Sequence, residues 1–132
     1  MVTSVGTMLV LDTNVLVRLI IEDNIEQTAI AKQAIEGQQV WISATVLLEL
    51  AWVLRSNYKF KRQTVVDVLE LLLDTQNFHI EDESAVRQSC HWFKQQGDFA
   101  DALHLARTQY RGAFLTFDKD FCIAAEANIL RL

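Results

Sequence analysis

Short apolar strands alternating with longer helices predict an α/β protein built on a parallel sheet with helices on both faces. Three observations carry this. The runs MLVL (8–11), VWI (40–42) and AFLT (113–116) are apolar but for Thr116, as strands buried on both faces require. Between them lie helix-length segments with apolar residues three and four positions apart. The chain of 132 residues contains no proline and only 4 glycines, which implies short loops and long helices. A central parallel sheet of four to five strands follows, joined by right-handed crossovers.

Residues 8–11 form the first strand and 14–21 the first helix. The segment 24–37 places Ile25, Ala29, Ala31 and Ile35 near helical spacing and ends at Gly37, a natural terminating residue. After the strand at 40–42, Ser43 or Thr45 caps a helix that runs to Asn57. KRQTVVDVLELLLDT (61–75) is helical, with Val65, Val68, Leu69 and Leu72 on one stripe. FHI (78–80) is a weak third strand. Helices follow at 82–96, stopped by Gly97, and from Asp98 to Tyr110, stopped by Gly112. AFLT is the fourth strand, 119–127 a short helix and ILRL a fifth strand.

The length suits one compact domain, and a hydrophobic share of 51% supplies a core and excludes a disordered chain. No apolar run approaches the roughly 18 residues of a membrane span, and MVTSVGT lacks the basic start of a signal peptide. Residues 1–7 read as an extension before a single domain at 8–132. Cys90 and Cys122 lie in apolar helical surroundings without metal-ligand spacing, so both read as core thiols of a cytoplasmic protein. The net charge of −5 argues against a nucleic-acid partner unless the acids are gathered in one place.

They are. In parallel sheets ligands sit beyond the carboxyl ends of the strands. Asp12 directly follows strand one, Asp118 follows strand four, and Asp101 lies in the first turn of the helix leading to strand four. Glu49 is an isolated acid in the apolar run VLLELAWVL; its helical neighbours Thr45, Val46, Trp52 and Val53 offer no cation. Each aspartate alone has a structural explanation as a helix cap, and Asp98 with Asp101 resembles a capping box. Together, carboxylates meeting at one edge repel unless they protonate or bind a cation. All-oxygen donors without His or Cys suit Mg²⁺ or Mn²⁺ and argue against zinc.

LVLDTNVL, the glutamate in SATVLLELAWVL, FADALHLA and FLTFDKDF resemble, in order, the four motifs of the PIN-domain family, closest to VapC-type toxins of bacterial toxin–antitoxin pairs. The resemblance covers nearly the whole chain from Met8. It implies a three-layer α/β/α nuclease that cuts RNA with a divalent metal. It assigns the acidic quartet to Asp12, Glu49, Asp101 and Asp118, as metal ligands and catalytic groups. Thr13 and Asn14 match the polar pair after the first acid, Thr116 the residue two before the last, and Asp98 and Asp120 are extra acids nearby. It further implies an RNA substrate, a cognate antitoxin and a homodimer.

RSNYKFKR (55–62) sets Arg55, Lys59, Lys61 and Arg62 around Tyr58 and Phe60. Basic residues reach phosphates and aromatics stack on bases; the competing reading of the same stretch, a solvated inter-helix turn, is the one favoured. By the resemblance, Tyr58, Phe60 and Trp52 are also candidates to line a groove for the antitoxin. His79, His91 and His104 read as ordinary packed or surface histidines, although His104 lies one turn after Asp101, and Trp41 and Trp92 as core or interface. A receiver-like signalling domain shares the architecture, but it needs an acidic pair where this chain has DTN and an acceptor aspartate where it has FHIEDES. A haloacid-type phosphatase needs a second aspartate that DTN lacks. A non-catalytic module on the same fold is the remaining alternative, against which the intact quartet speaks.

Overall fold

The computed structural model describes residues 7–122, 124–125 and 129–132. The element order is β1 (Leu9–Val10), α1 (Thr13–Ile21), α2 (Ile25–Ile35), β2 (Val40–Ile42), α3 (Ala44–Ser56), α4 (Arg62–Asp74), β3 (Phe78–Ile80), α5 (Glu83–Gln95), α6 (Phe99–Thr108), β4 (Phe114–Thr116) and β5 (Ile129–Arg131). The alternation expected from the sequence is present. Side-chain caps explain several helix starts: Asn24 accepts the Gln27 N–H at 3.0 Å, and Ser43, rather than Thr45, accepts the Val46 N–H at 3.2 Å. Gly37 follows α2 with φ +71 and Gly97 follows α5 with φ +89, a backbone region that favours glycine. The short helix expected over 119–127 is a turn at 119–122, where Cys122 takes a left-handed φ of +46; residue 123 and residues 126–128 lie outside the described residues, as do residues 1–6 of the expected extension.

Among the described residues every strand pairing is parallel. Hydrogen bonds divide the strands into β1-β2-β3 and β4-β5. Leu9 and Val10 register against Val40 and Trp41, which register in turn against Phe78 and His79; Phe114 opposes Ile129 and Thr116 opposes Arg131. Parallel strands point their carboxyl ends one way, and that common direction is what sends Asp12 and the residues after β2 and β3 to one edge of the first group.

The core divides similarly. The larger cluster joins α1, α3 and α4 to β2, with Leu16, Val40, Ile42, Leu50, Leu54 and Leu69 at full burial. The smaller gathers Trp92, Leu105, Phe121 and Cys122 around Phe114 and Ile129, with Phe114 stacked on Phe121 at 4.6 Å. The α5–α6 pair serves both: Phe93, Phe99 and Leu103 face the larger cluster, Trp92, Ala102 and Ala106 the smaller. Two-sided burial is the reason these two helices carry apolar residues beyond a single stripe. Cys90 and Cys122 are free and buried, and burial pushes the Cys90 thiol up to about 12, where it is inert. No helix among the described residues is long and apolar enough to cross a membrane.

Candidate active site

Asp12 leaves β1 in an extended conformation and caps α1, its Oδ1 accepting the Thr13 N–H at 2.8 Å. Thr13 is buried, and its hydroxyl donates a short hydrogen bond to Glu49 Oε1. One residue thus joins two carboxylates from distant parts of the chain, one through its backbone and one through its side chain. Glu49 projects from α3 into a cleft between α1 and α3. Asn14, Val17 and Arg18 form the α1 wall; Glu49 and Val53 form the α3 wall, which continues to Asn57 and Tyr58, in a volume of about 300 Å³. The spacing explains the walls. Glu49, Val53 and Asn57 lie four residues apart, so one helix face presents all three.

The other acids stand at the start of α6 and after β4. Asp98 caps α6, accepting the Ala100 N–H at 3.2 Å. Asp101 does not complete a capping box; no hydrogen bond reaches its carboxylate from any described residue. Partial burial pushes its pKa up, the charges of Asp98 and Asp118 push it further, and His104 pulls it down. Asp118 is held from both sides: its N–H donates to Thr116 Oγ1 at 3.0 Å, and its Oδ1 accepts the Asp120 N–H at 2.8 Å. Thr116 therefore orients Asp118. Arg131 fixes the same turn by donating to the carbonyls of Lys119 at 3.0 Å and Phe121 at 2.6 Å.

The structure thus brings Asp12 and Glu49 to one cleft and puts Asp101 within electrostatic reach of Asp98 and Asp118. Glu49 and Asp98 also share the wall of a second cavity of about 650 Å³, with Val46, Trp52, Phe93 and Phe99. Among the described residues, no three His, Cys, Asp or Glu side chains stand close enough together to enclose an ion. The donor chemistry nevertheless fits a hard divalent cation: carboxylate and hydroxyl oxygens, with Asp101 short of positive charge.

The basic stretch divides. Arg55 donates to the Phe60 carbonyl at 3.2 Å. Arg62 donates to the carbonyls of Phe93 at 2.9 Å and Gly97 at 2.6 Å and lies 4.6 Å from the Phe93 ring centre. Both arginines are engaged in the fold, whereas Lys59 and Lys61 form no ion pair among the described residues. The acid after β3 is also engaged: Glu81 Oε1 accepts the Ala44 N–H at 2.9 Å, capping α3, which is not the part of a phosphate acceptor. Sequence reading missed Asn57 and Val53 as cleft residues; their four-residue spacing from Glu49 was the available signal.

A family profile described as the PIN domain matches residues 9–127. A VapC ribonuclease of Aquifex aeolicus (strain VF5) is 27% identical over 78 residues, 58% of this chain and 58% of that protein. No solved structure gives a significant match.

Proposed function

We infer what this protein does from one premise: the chain belongs to the PIN domain family. On that footing it is a divalent-metal-dependent ribonuclease that hydrolyses RNA phosphodiester bonds, the toxin of a toxin–antitoxin pair. The observation that carries the reading is the Thr13 link, which holds Glu49 beside Asp12 at the mouth of a cleft. The similarity to a VapC ribonuclease over 58% of the chain supports it.

In this reading Asp12, Glu49, Asp101 and Asp118 would hold Mg²⁺ or Mn²⁺. Bound there, such an ion would supply charge neutralisation for a phosphodiester and activation of water at neutral pH. The chain's own residues prepare that site. Thr13 keeps the Glu49 carboxylate oriented, Thr116 does the same for Asp118, and Asp98 fixes the start of the helix that bears Asp101. Burial and the neighbouring Asp98 and Asp118 raise the affinity of Asp101 for a proton, and a bound cation would relieve the same repulsion. Asn14 lines the cleft with Glu49, and the Asp120 N–H donates to Asp118.

A cognate antitoxin and a second copy of the chain are the protein partners of the reading. Trp52, 63% exposed beside the larger cavity, supports an apolar contact on that face. The free, buried cysteines support a reducing, cytoplasmic setting. The test is RNA cleavage by the purified protein in Mg²⁺ or Mn²⁺, with and without chelator. Cleavage that is abolished by chelator and by Asp12→Asn upholds the reading; cleavage indifferent to both, or RNA binding without cleavage, replaces it with a different nuclease or a non-catalytic module.

A further inference from the structure

The α1–α3 cleft has a composition that metal binding alone does not require. Its floor is apolar, from Val17 and Val53. Beyond the acids it offers the amides of Asn14 and Asn57, neither of which makes a side-chain hydrogen bond among the described residues. At its far end Tyr58 is half-buried, its ring edge-on to Phe60 at 6.4 Å, and its hydroxyl bonds to no described residue. The volume, about 300 Å³, falls at the lower end of small-molecule sites, which run from roughly 300 to 1,000 Å³.

The turn that carries these groups is preorganised. The N–H groups of Asn57 and Tyr58 both donate to the Val53 carbonyl, at 2.8 and 3.3 Å, and Phe60 N–H donates to Leu54 at 2.9 Å. Arg55 closes the loop on the Phe60 carbonyl. Lys59 adopts a left-handed φ of +58 within it. Arg18, the cation within the cleft, is occupied by Asp23. Lys59 and Lys61, exposed and without an ion pair among the described residues, follow Tyr58 in the chain. An apolar floor, a supported aromatic ring, and two amides each offering donor and acceptor match a nucleobase; free lysines beyond them match a phosphate.

We propose that the α1–α3 cleft seats one nucleoside of single-stranded RNA next to the cleavage site. Its base lies against Tyr58 with an edge hydrogen-bonded by Asn57, and its outward phosphate faces Lys59 and Lys61. The proposal rests on the ribonuclease reading for its substrate class. It adds what that reading leaves open: a residue set that selects the nucleotide beside the scissile bond.

Two measurements on the full chain test it. Binding is read by fluorescence anisotropy with a randomised pool of short single-stranded RNA at low salt, the cleaving ion withheld, and the bound fraction is sequenced. Cleavage of the same pool in Mg²⁺ is followed in parallel. Tyr58→Ala weakens binding about tenfold, the loss of one base stack, whereas Tyr58→Phe binds as the parent does. Asn57→Ala flattens the base preference of the bound fraction. Lys59→Ala and Lys61→Ala each reduce the slope of log affinity on log salt by about 0.7, the single-strand value for one phosphate. A parent that binds and cleaves RNA while Tyr58→Ala, Asn57→Ala and the lysine variants bind it unchanged overturns the nucleoside seat and leaves the ribonuclease reading standing. A parent that neither binds nor cleaves overturns both. If the variants lose a protein partner and keep RNA, the cleft is a protein seat and the proposal falls. The exposed Lys59, Lys61 and Asn57 substitutions decide the matter even where Tyr58→Ala unfolds the chain.

Discussion

The two halves of the acid edge handle negative charge differently. Asp12 and Glu49 are both satisfied by Thr13, whose N–H and hydroxyl are fixed donors. Asp101 receives no hydrogen bond from a described residue, faces Asp98 and Asp118, and has its proton affinity raised by burial and by those neighbours. A carboxylate with fixed donors is at ease without a cation. One among like charges is stabilised chiefly by a cation or a proton. Under the proposed function, the contrast would give orientation to the first half and most of the attraction for a cation to the second.

The comparison breaks most readily on activity. Asp12→Asn and Asp101→Asn are each expected to lower RNA cleavage in Mg²⁺ by about a hundredfold or more, since even the outer partners of metal ligands are worth 10–100-fold. Their stabilities should part. Asparagine caps a helix about as well as aspartate, so Asp12→Asn leaves the thermal midpoint nearly unchanged, whereas Asp101→Asn raises it in metal-free protein. Equal shifts in calorimetry would erase the distinction between the halves.

Thr13→Val comes next. It removes the hydroxyl from Glu49 and is expected to cost about 10–100-fold in Mn²⁺ affinity, measured by titration calorimetry. An accompanying stability loss of about 0.5–1.5 kcal/mol reflects one lost hydrogen bond at an exposed carboxylate that water can partly satisfy. Arg62→Met tests the frame behind the second half. Arg62 ties α4 to the turn before Asp98 through two carbonyls, and Phe93 and Phe99 pack edge-on at 5.8 Å across that turn. Its loss should lower stability by about 1–2 kcal/mol in urea unfolding, with Arg62→Lys recovering part.

The smallest effect is the pH dependence of the metal-free protein. A carboxyl whose folded pKa is raised destabilises the fold above that pKa, and the penalty disappears as pH falls through it towards the unfolded value near 3.8. Asp101 therefore adds relative stability on mild acidification, and Asp101→Asn removes that slope. Saturating Mn²⁺ should flatten it as well, which thermal scans across the acid range will show.

What the sequence made legible was local. Asp12, Asp98 and Asp118 stand at strand ends or helix starts, places that periodicity and capping chemistry identify within a few residues. Glu49 was visible as an acid in an apolar run. The partner of Glu49 was not, because Thr13 lies 36 residues away and only the packing of α1 on α3 joins them. Arg55 and Arg62 read as surface cations, yet carbonyls exposed at the end of α5 and in the turn after α3 draw them back to the fold. Reading 119–127 as a helix failed at 119–122 for a similar reason. Asp118 caps a turn there that delivers Phe121 onto Phe114, so tertiary stacking outweighs helical propensity.

Arg131 gives the molecule an unsuspected point of vulnerability. Its guanidinium buckles the Asp118 turn to β5, and the Leu132 N–H closes the same seam on the Thr116 carbonyl at 2.9 Å. Arg131→Ala would leave the larger core untouched and still loosen the turn that holds Asp118.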